Sequence, residues 1–174
     1  TPLPRRVSCS NEGSFAFRAN PLQAYSNAVS EASDIVCLEI RQSKGELVVG
    51  GRGKKADLPR LGEILPVIRS VPEFWVRFGD FTADLSEWAL SEFRKNSIDE
   101  SRLMVVSREV SVLRDMKARH PAVRLVLEIS KGESVKAALD AGEDPGLFGV
   151  SIFRTAEGRL PEDVALLKER ITAL

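Results

Sequence analysis

Asp34-Ile35-Val36-Cys37-Leu38-Glu39-Ile40-Arg41 is the stretch on which the fold turns. Alternation along it sends Val36, Leu38 and Ile40 to one face, suited to packing under helices, and Cys37, Glu39 and Arg41 to the other. In a parallel barrel that second face is the interior, and Glu39 and Arg41 fall near the mouth at the carboxyl ends of the strands, where sites in that architecture sit. Glu73–Gly79 repeats the logic: Phe74, Val76 and Phe78 point outward, Trp75 and Arg77 inward, so Arg77 is expected close to Glu39. Val123–Ile129 hides Val123, Leu125, Leu127 and Ile129 under helices and turns Arg124, Val126 and Glu128 inward, with Ser130 and Lys131 at the mouth.

Further runs of the same kind complete a set of seven candidate strands: Arg6–Ser10, Asp34–Arg41, Glu46–Gly50, Glu73–Gly79, Arg102–Val106, Val123–Ile129 and Leu147–Phe153. Helical stretches with recognisable ends lie between and after them. Asn20 caps a helix with Pro21 at its first position, Thr82 precedes Ala83–Asn96, Ser107 precedes Arg108–Arg119, Gly142 closes Glu133–Ala141, and Pro161 opens a last helix to Thr172. Pro66 should kink or shorten Leu61–Val71. Such βα alternation predicts a parallel sheet with right-handed crossovers, closed into a barrel or left open with helices on both faces. The 174 residues suit one domain, 1–174, shorter than the roughly 250 residues of a complete eight-stranded barrel.

Lys plus Arg equal Asp plus Glu, 25 of each, so no global field favours nucleic acid. No apolar run approaches the roughly 20 residues that span a bilayer, so the chain is not expected to be transmembrane, and a presequence removed from it would leave no trace. Cys9 and Cys37 both fall in apolar strands, where buried thiols are the usual outcome. The single histidine, His120, stands before Pro121 at a helix end and leaves Ser8, Ser10 and Ser107 without an activating base, which excludes a Ser-His-Asp hydrolase. Gly50-Gly51-Arg52-Gly53-Lys54-Lys55 lacks the spacing of a phosphate loop and reads as a basic turn. Trp75 and Trp88 read as packing residues.

Several segments, taken in order, resemble the glycerophosphodiester phosphodiesterases of the phospholipase-C-like barrel superfamily. Asn20-Pro21-Leu22-Gln23-Ala24-Tyr25 resembles that family's Glu-Asn-Thr-Leu-x-Ala-Phe. Asp34 to Ile40 resembles its Asp-Gly-x-Glu-Leu-Asp strand, and Leu58-Pro59-Arg60-Leu61-Gly62-Glu63-Ile64-Leu65 its Ile-Pro-Thr-Leu-x-Glu-Val-Leu. Leu103 to Ser107, Val112-Leu113-Arg114 and His120-Pro121 are similar to its fifth strand and following helix. The resemblance implies a TIM-barrel-like (β/α) parallel barrel, shortened to about seven strands with the last strand missing, and a place in lipid metabolism.

The positions that carry chemistry in that family are changed. His-Arg-Gly aligns with Asn11-Glu12-Gly13, so Asn11 stands for a catalytic histidine and Glu12 for a phosphate-contacting arginine. Glu-Leu-Asp becomes Glu39-Ile40-Arg41, His-Asp becomes Gly50-Gly51, and Glu-x-Lys becomes Arg77 with Gly79. A divalent cation would need several carboxylates around it; here it would meet Arg41 and Arg77, and Glu39 would find a guanidinium partner instead. Arg41, Arg77, Lys131 and Arg154 are candidates for holding a phosphate-bearing small molecule, since guanidinium forks suit such anions.

Two readings from different classes follow. The first is a pseudoenzyme, a phosphodiesterase-like barrel without a cofactor, acting in binding or assembly. There a protein partner or a second copy of the chain covers the strand edges, Arg6–Ser10 and Leu147–Phe153, that the missing strand leaves open. The second is a divergent phosphoric diester hydrolase with magnesium or calcium at Glu39.

Overall fold

Strands form where the sequence alternates or runs apolar, and the boundaries move by a residue or two. The structure, a computed structural model, describes residues 7–9, 20–50, 58–130, 134–142, 146–147 and 149–152. The chain gathers into two compact units, Thr1–Leu103 and Met104–Leu174.

In the first unit β1 (Val7–Cys9), β2 (Ile35–Ser43) and β4 (Glu73–Phe78) pair side by side in parallel. Ile35 to Leu38 are all buried, as expected of a strand covered on both faces. The register sets Cys37 beside Trp75, Glu39 beside Arg77 and Ile40 beside Phe78. Val36, Leu38, Ile40, Phe74 and Val76 form the helix-facing layer, where Phe74 meets Phe93 edge to face at 5.9 Å between centroids. Burying such a layer is the main driving force of the unit.

Three helices cover that layer. In α1 (Pro21–Ser30) the Asn20 side chain accepts the Gln23 N–H at 3.1 Å, and Pro21 occupies the first helical position. In α3 (Ala83–Lys95) the Thr82 hydroxyl accepts the Leu85 N–H at 3.1 Å. Between them, α2 (Leu61–Ile68) contains Pro66 and stops two residues after it, shorter than the apolar pattern alone would run. Arg102 then closes the end of α2: it donates to the carbonyls of Arg69 at 2.7 Å, Val71, and Pro72 at 3.2 Å, with its guanidinium over the Phe74 ring. Trp88 differs from expectation, since it stands exposed on α3.

One strand corrects the all-parallel expectation. β3 (Glu46–Val49) is antiparallel to β2, pairing Ile40 with Val49 and Ser43 with Glu46. Lys44 and Gly45 make the reversal with φ of 50° and 79°, the left-handed pair that a two-residue hairpin requires. The third candidate strand is therefore the return arm of β2 and not a step of the βα series.

In the second unit β5 (Leu103–Ser107), β6 (Arg124–Ile129) and β7 (Gly149–Ile152) are parallel, with Val106 beside Val126 and Glu128 beside Ser151. Leu125, Leu127 and Ile129 are buried while Arg124 and Glu128 are half-buried, as their alternation requires. The helix after β5 starts later than expected: Ser107 accepts the Glu109 N–H in a tight turn, so α4 runs only from Val110 to Arg119. α5 is Val135–Gly142. His120 is buried at the end of α4, its N–H donating to Met116. The expected helix from Pro161, and the strand ends Arg6, Ser10 and Phe153, lie outside the described residues, among which no helix is long and apolar enough to cross a membrane.

Candidate functional site

Neighbouring side chains on one face of parallel strands follow from register, so β2 and β4 bring Glu39 and Arg77 together and place Arg41 one pleat further on. The hairpin adds the next group. Because β3 returns along β2, Gly50 arrives beside Glu39, and its N–H donates to the Glu39 carbonyl at 2.9 Å. At the same end, Gly79 follows β4 and donates to the Ile40 carbonyl at 2.9 Å.

Arg41 links these pieces. Its Nη2 forms an ion pair with the Glu39 carboxylate, and its Nε donates to the Gly50 carbonyl at 2.8 Å. The Arg41 side chain is 11% exposed and that of Glu39 25%, so the pair is substantially screened from water, which strengthens its attraction and also makes either charge costly to leave without the other. Both glycines are occupied spaces. A Cβ on Gly50 would stand 2.6 Å from Leu58 Cδ2, and its φ is +146°. A Cβ on Gly79 would stand 2.9 Å from Arg41 Cζ and 2.8 Å from Nη2.

The fold family named by the sequence resemblance implies a divalent cation, and the residues present do not fit one. Calcium or magnesium needs several anionic or carbonyl oxygens converging on it. Here the Glu39 carboxylate is engaged by Arg41, and the register neighbour of Glu39 is a second arginine, Arg77. Among the described residues no group of three or more His, Cys, Asp or Glu side chains converges. His120 belongs to the second unit and is packed at a helix end.

Of the expected site residues, the structure brings Glu39, Arg41, Arg77 and Gly50 to one sheet end; Asn11, Glu12, Gly51, Lys131 and Arg154 lie outside the described residues. Gly79, which the resemblance sets at a lysine position, gains a second part in three dimensions, as the residue that the Arg41 guanidinium covers. The sequence does carry a signal for it, because a glycine directly after an apolar aromatic strand marks close approach of another group.

No family profile matches the sequence, and no curated protein is recognisably similar to it. The fold, in contrast, is shared. A candidate glycerophosphodiester phosphodiesterase from Galdieria sulphuraria superposes with a TM-score of 0.77 at 15% identity, over 99% of this chain and 82% of that one. A phosphodiesterase from Oleispira antarctica, solved with the product sn-glycerol-3-phosphate, gives 0.71 at 16% identity over 96% and 81%. A glycerophosphodiester phosphodiesterase from Parabacteroides distasonis gives 0.62 at 11% identity over 85% and 73%. The chain thus shares the fold of these proteins, a mostly parallel α/β barrel.

Proposed function

We propose that this is a non-catalytic phosphodiesterase-like barrel, a pseudoenzyme that serves as a binding or assembly subunit. The observation that carries the reading is the Arg41 guanidinium on the Glu39 carboxylate. Hydrolysis of a diester by this fold would call for a general acid and base and for a positive centre on the phosphoryl oxygens. The position of one histidine is taken by Gly50, whose φ and whose contact with Leu58 disfavour any side chain, and the one histidine of the sequence, His120, is buried at the end of α4. In an assembly role a partner protein or a second copy of the chain would lie along a strand edge such as that of β1 or β7.

The deciding experiment is turnover of a glycerophosphodiester in calcium or magnesium by the native chain and by Glu39→Gln, with metal content measured in parallel. No turnover and no stoichiometric metal is expected for either. Stoichiometric calcium or magnesium in the native chain, with turnover that Glu39→Gln abolishes, would establish the divergent hydrolase instead.

A second reading of the same site is anion binding without cleavage. It is favoured by the placement of two arginines, Arg41 and Arg77, on one face at the same sheet end, since guanidinium forks suit such anions, and by the product phosphate held in the Oleispira antarctica neighbour. Titration with sn-glycerol-3-phosphate checks it: Arg77→Ala should weaken binding about tenfold or more, the worth of one charge-assisted contact, and equal affinity in the variant removes the anion site.

A further inference from the structure

Arg41 stands on β2 where the ends of β3 and β4 reach it. It belongs to β2, its Nε donates to Gly50 beyond β3 at 2.8 Å, and its guanidinium covers Gly79 beyond β4. We infer that Arg41 is an internal strap holding the ends of β3 and β4 to β2, and that residue 79 is glycine because the strap lies where its side chain would be.

The reason for glycine at 79 can be isolated. A glycine is required either by backbone conformation or by space. Gly79 is not among the positive-φ glycines, so its backbone suits any L-residue, and its N–H bond to Ile40 is one that any residue other than proline could make. Space remains, and the atoms filling it are Cζ, Nε and Nη2 of Arg41 at 2.9, 3.2 and 2.8 Å from a Cβ position. Ordinarily the far end of an arginine would swing away from an added methyl at little cost. This one is pinned by Glu39 and by the Gly50 carbonyl, so displacing it breaks both bonds and leaves half-buried polar groups without their partners. The strap ties β2, β3 and β4 by side-chain chemistry at the end of the sheet where the β2–β4 ladder stops at Ile40 and Phe78. It holds whether or not the chain turns over substrate, so it stands apart from the functional proposal.

A thermal double-mutant cycle on the full chain tests it. Gly79→Ala and Arg41→Ala should each lower the midpoint by roughly 3 °C or more. In the Arg41→Ala background, however, Gly79→Ala should be neutral or slightly stabilising, since the space is then vacant and alanine restricts the unfolded chain. An equal loss from Gly79→Ala in both backgrounds, or no loss from Arg41→Ala, overturns the inference. Should Arg41→Ala leave too little folded chain to melt, the Arg41 Nε–H proton can be followed by NMR. It is expected to be protected from exchange in the native chain and exposed in Gly79→Ala, and protection kept in that variant overturns the inference equally.

Discussion

Glu39 and Arg41 are two residues apart on one strand and therefore share a face, which is why two groups of opposite charge sit beside each other without any help from tertiary folding. Glu39→Gln keeps the shape of the side chain and removes its charge, leaving Arg41 screened from water with a weaker partner. Because a quarter of the Glu39 side chain meets solvent, the loss is moderated to about 1–2 kcal/mol, measured by urea unfolding; a change under about 0.3 kcal/mol would show that the pair adds nothing to stability. Gly50 presents the opposite case, a residue defined by what it lacks. Introducing a histidine there, Gly50→His, forces an L-residue to φ +146° and against Leu58, and should cost about 2–4 kcal/mol. Native stability in that variant would show that the position tolerates a side chain.

At the scale of elements, the β2–β3 hairpin is what places Gly50 within reach of Arg41. Its turn puts Lys44, a residue with a Cβ, at φ 50°; asparagine tolerates that conformation better. Lys44→Asn should therefore raise stability by ~0.5 kcal/mol, visible as a higher urea midpoint, and a fall would mean that the Lys44 side chain makes a contact outweighing its backbone strain. The hairpin also marks the limit of what was legible. Alternation alone identified β2, β4 and β6 and which of their side chains share a face, including Glu39 beside Arg77, because period two and register are local properties. It treated Glu46–Gly50 as another step of a parallel series. Only Lys44 and Gly45 separate β2 from β3, whereas a parallel neighbour needs a crossover of a dozen or more residues, so loop length held the answer that periodicity did not. The reach of Arg41 to Gly50 and over Gly79 was not readable, since it depends on that hairpin and on two strand ends far apart in the chain. The late start of α4 has a local cause, a hydroxyl at Ser107 that competes with the helix for the Glu109 N–H.

For the molecule as a whole, the fold survives with its neighbours' sequences almost erased, 11–16% identical in the three compared. Such tolerance is expected where volume and patterning specify a core and few individual residues do. Chemistry is less forgiving than packing, because it needs particular groups held at particular distances. If the guanidinium of Arg41 has removed any seat for a cation, thermal midpoints in excess calcium, in magnesium and in a chelator should agree to within about 1 °C, because a specific ligand at a hundred times its Kd would add roughly 2.7 kcal/mol and several degrees.

The short span of the hairpin also bears on how the chain reaches its folded state. Ile40 and Val49 meet across a two-residue turn, a closure on the order of microseconds, whereas pairing β2 with β4 awaits a far longer loop that also carries α2. Arg41 and the Gly50 carbonyl thus come into range as part of one local unit, before β4 docks. β4 then meets a guanidinium already poised, and a residue bulkier than glycine at its end would obstruct that docking as well as the finished structure.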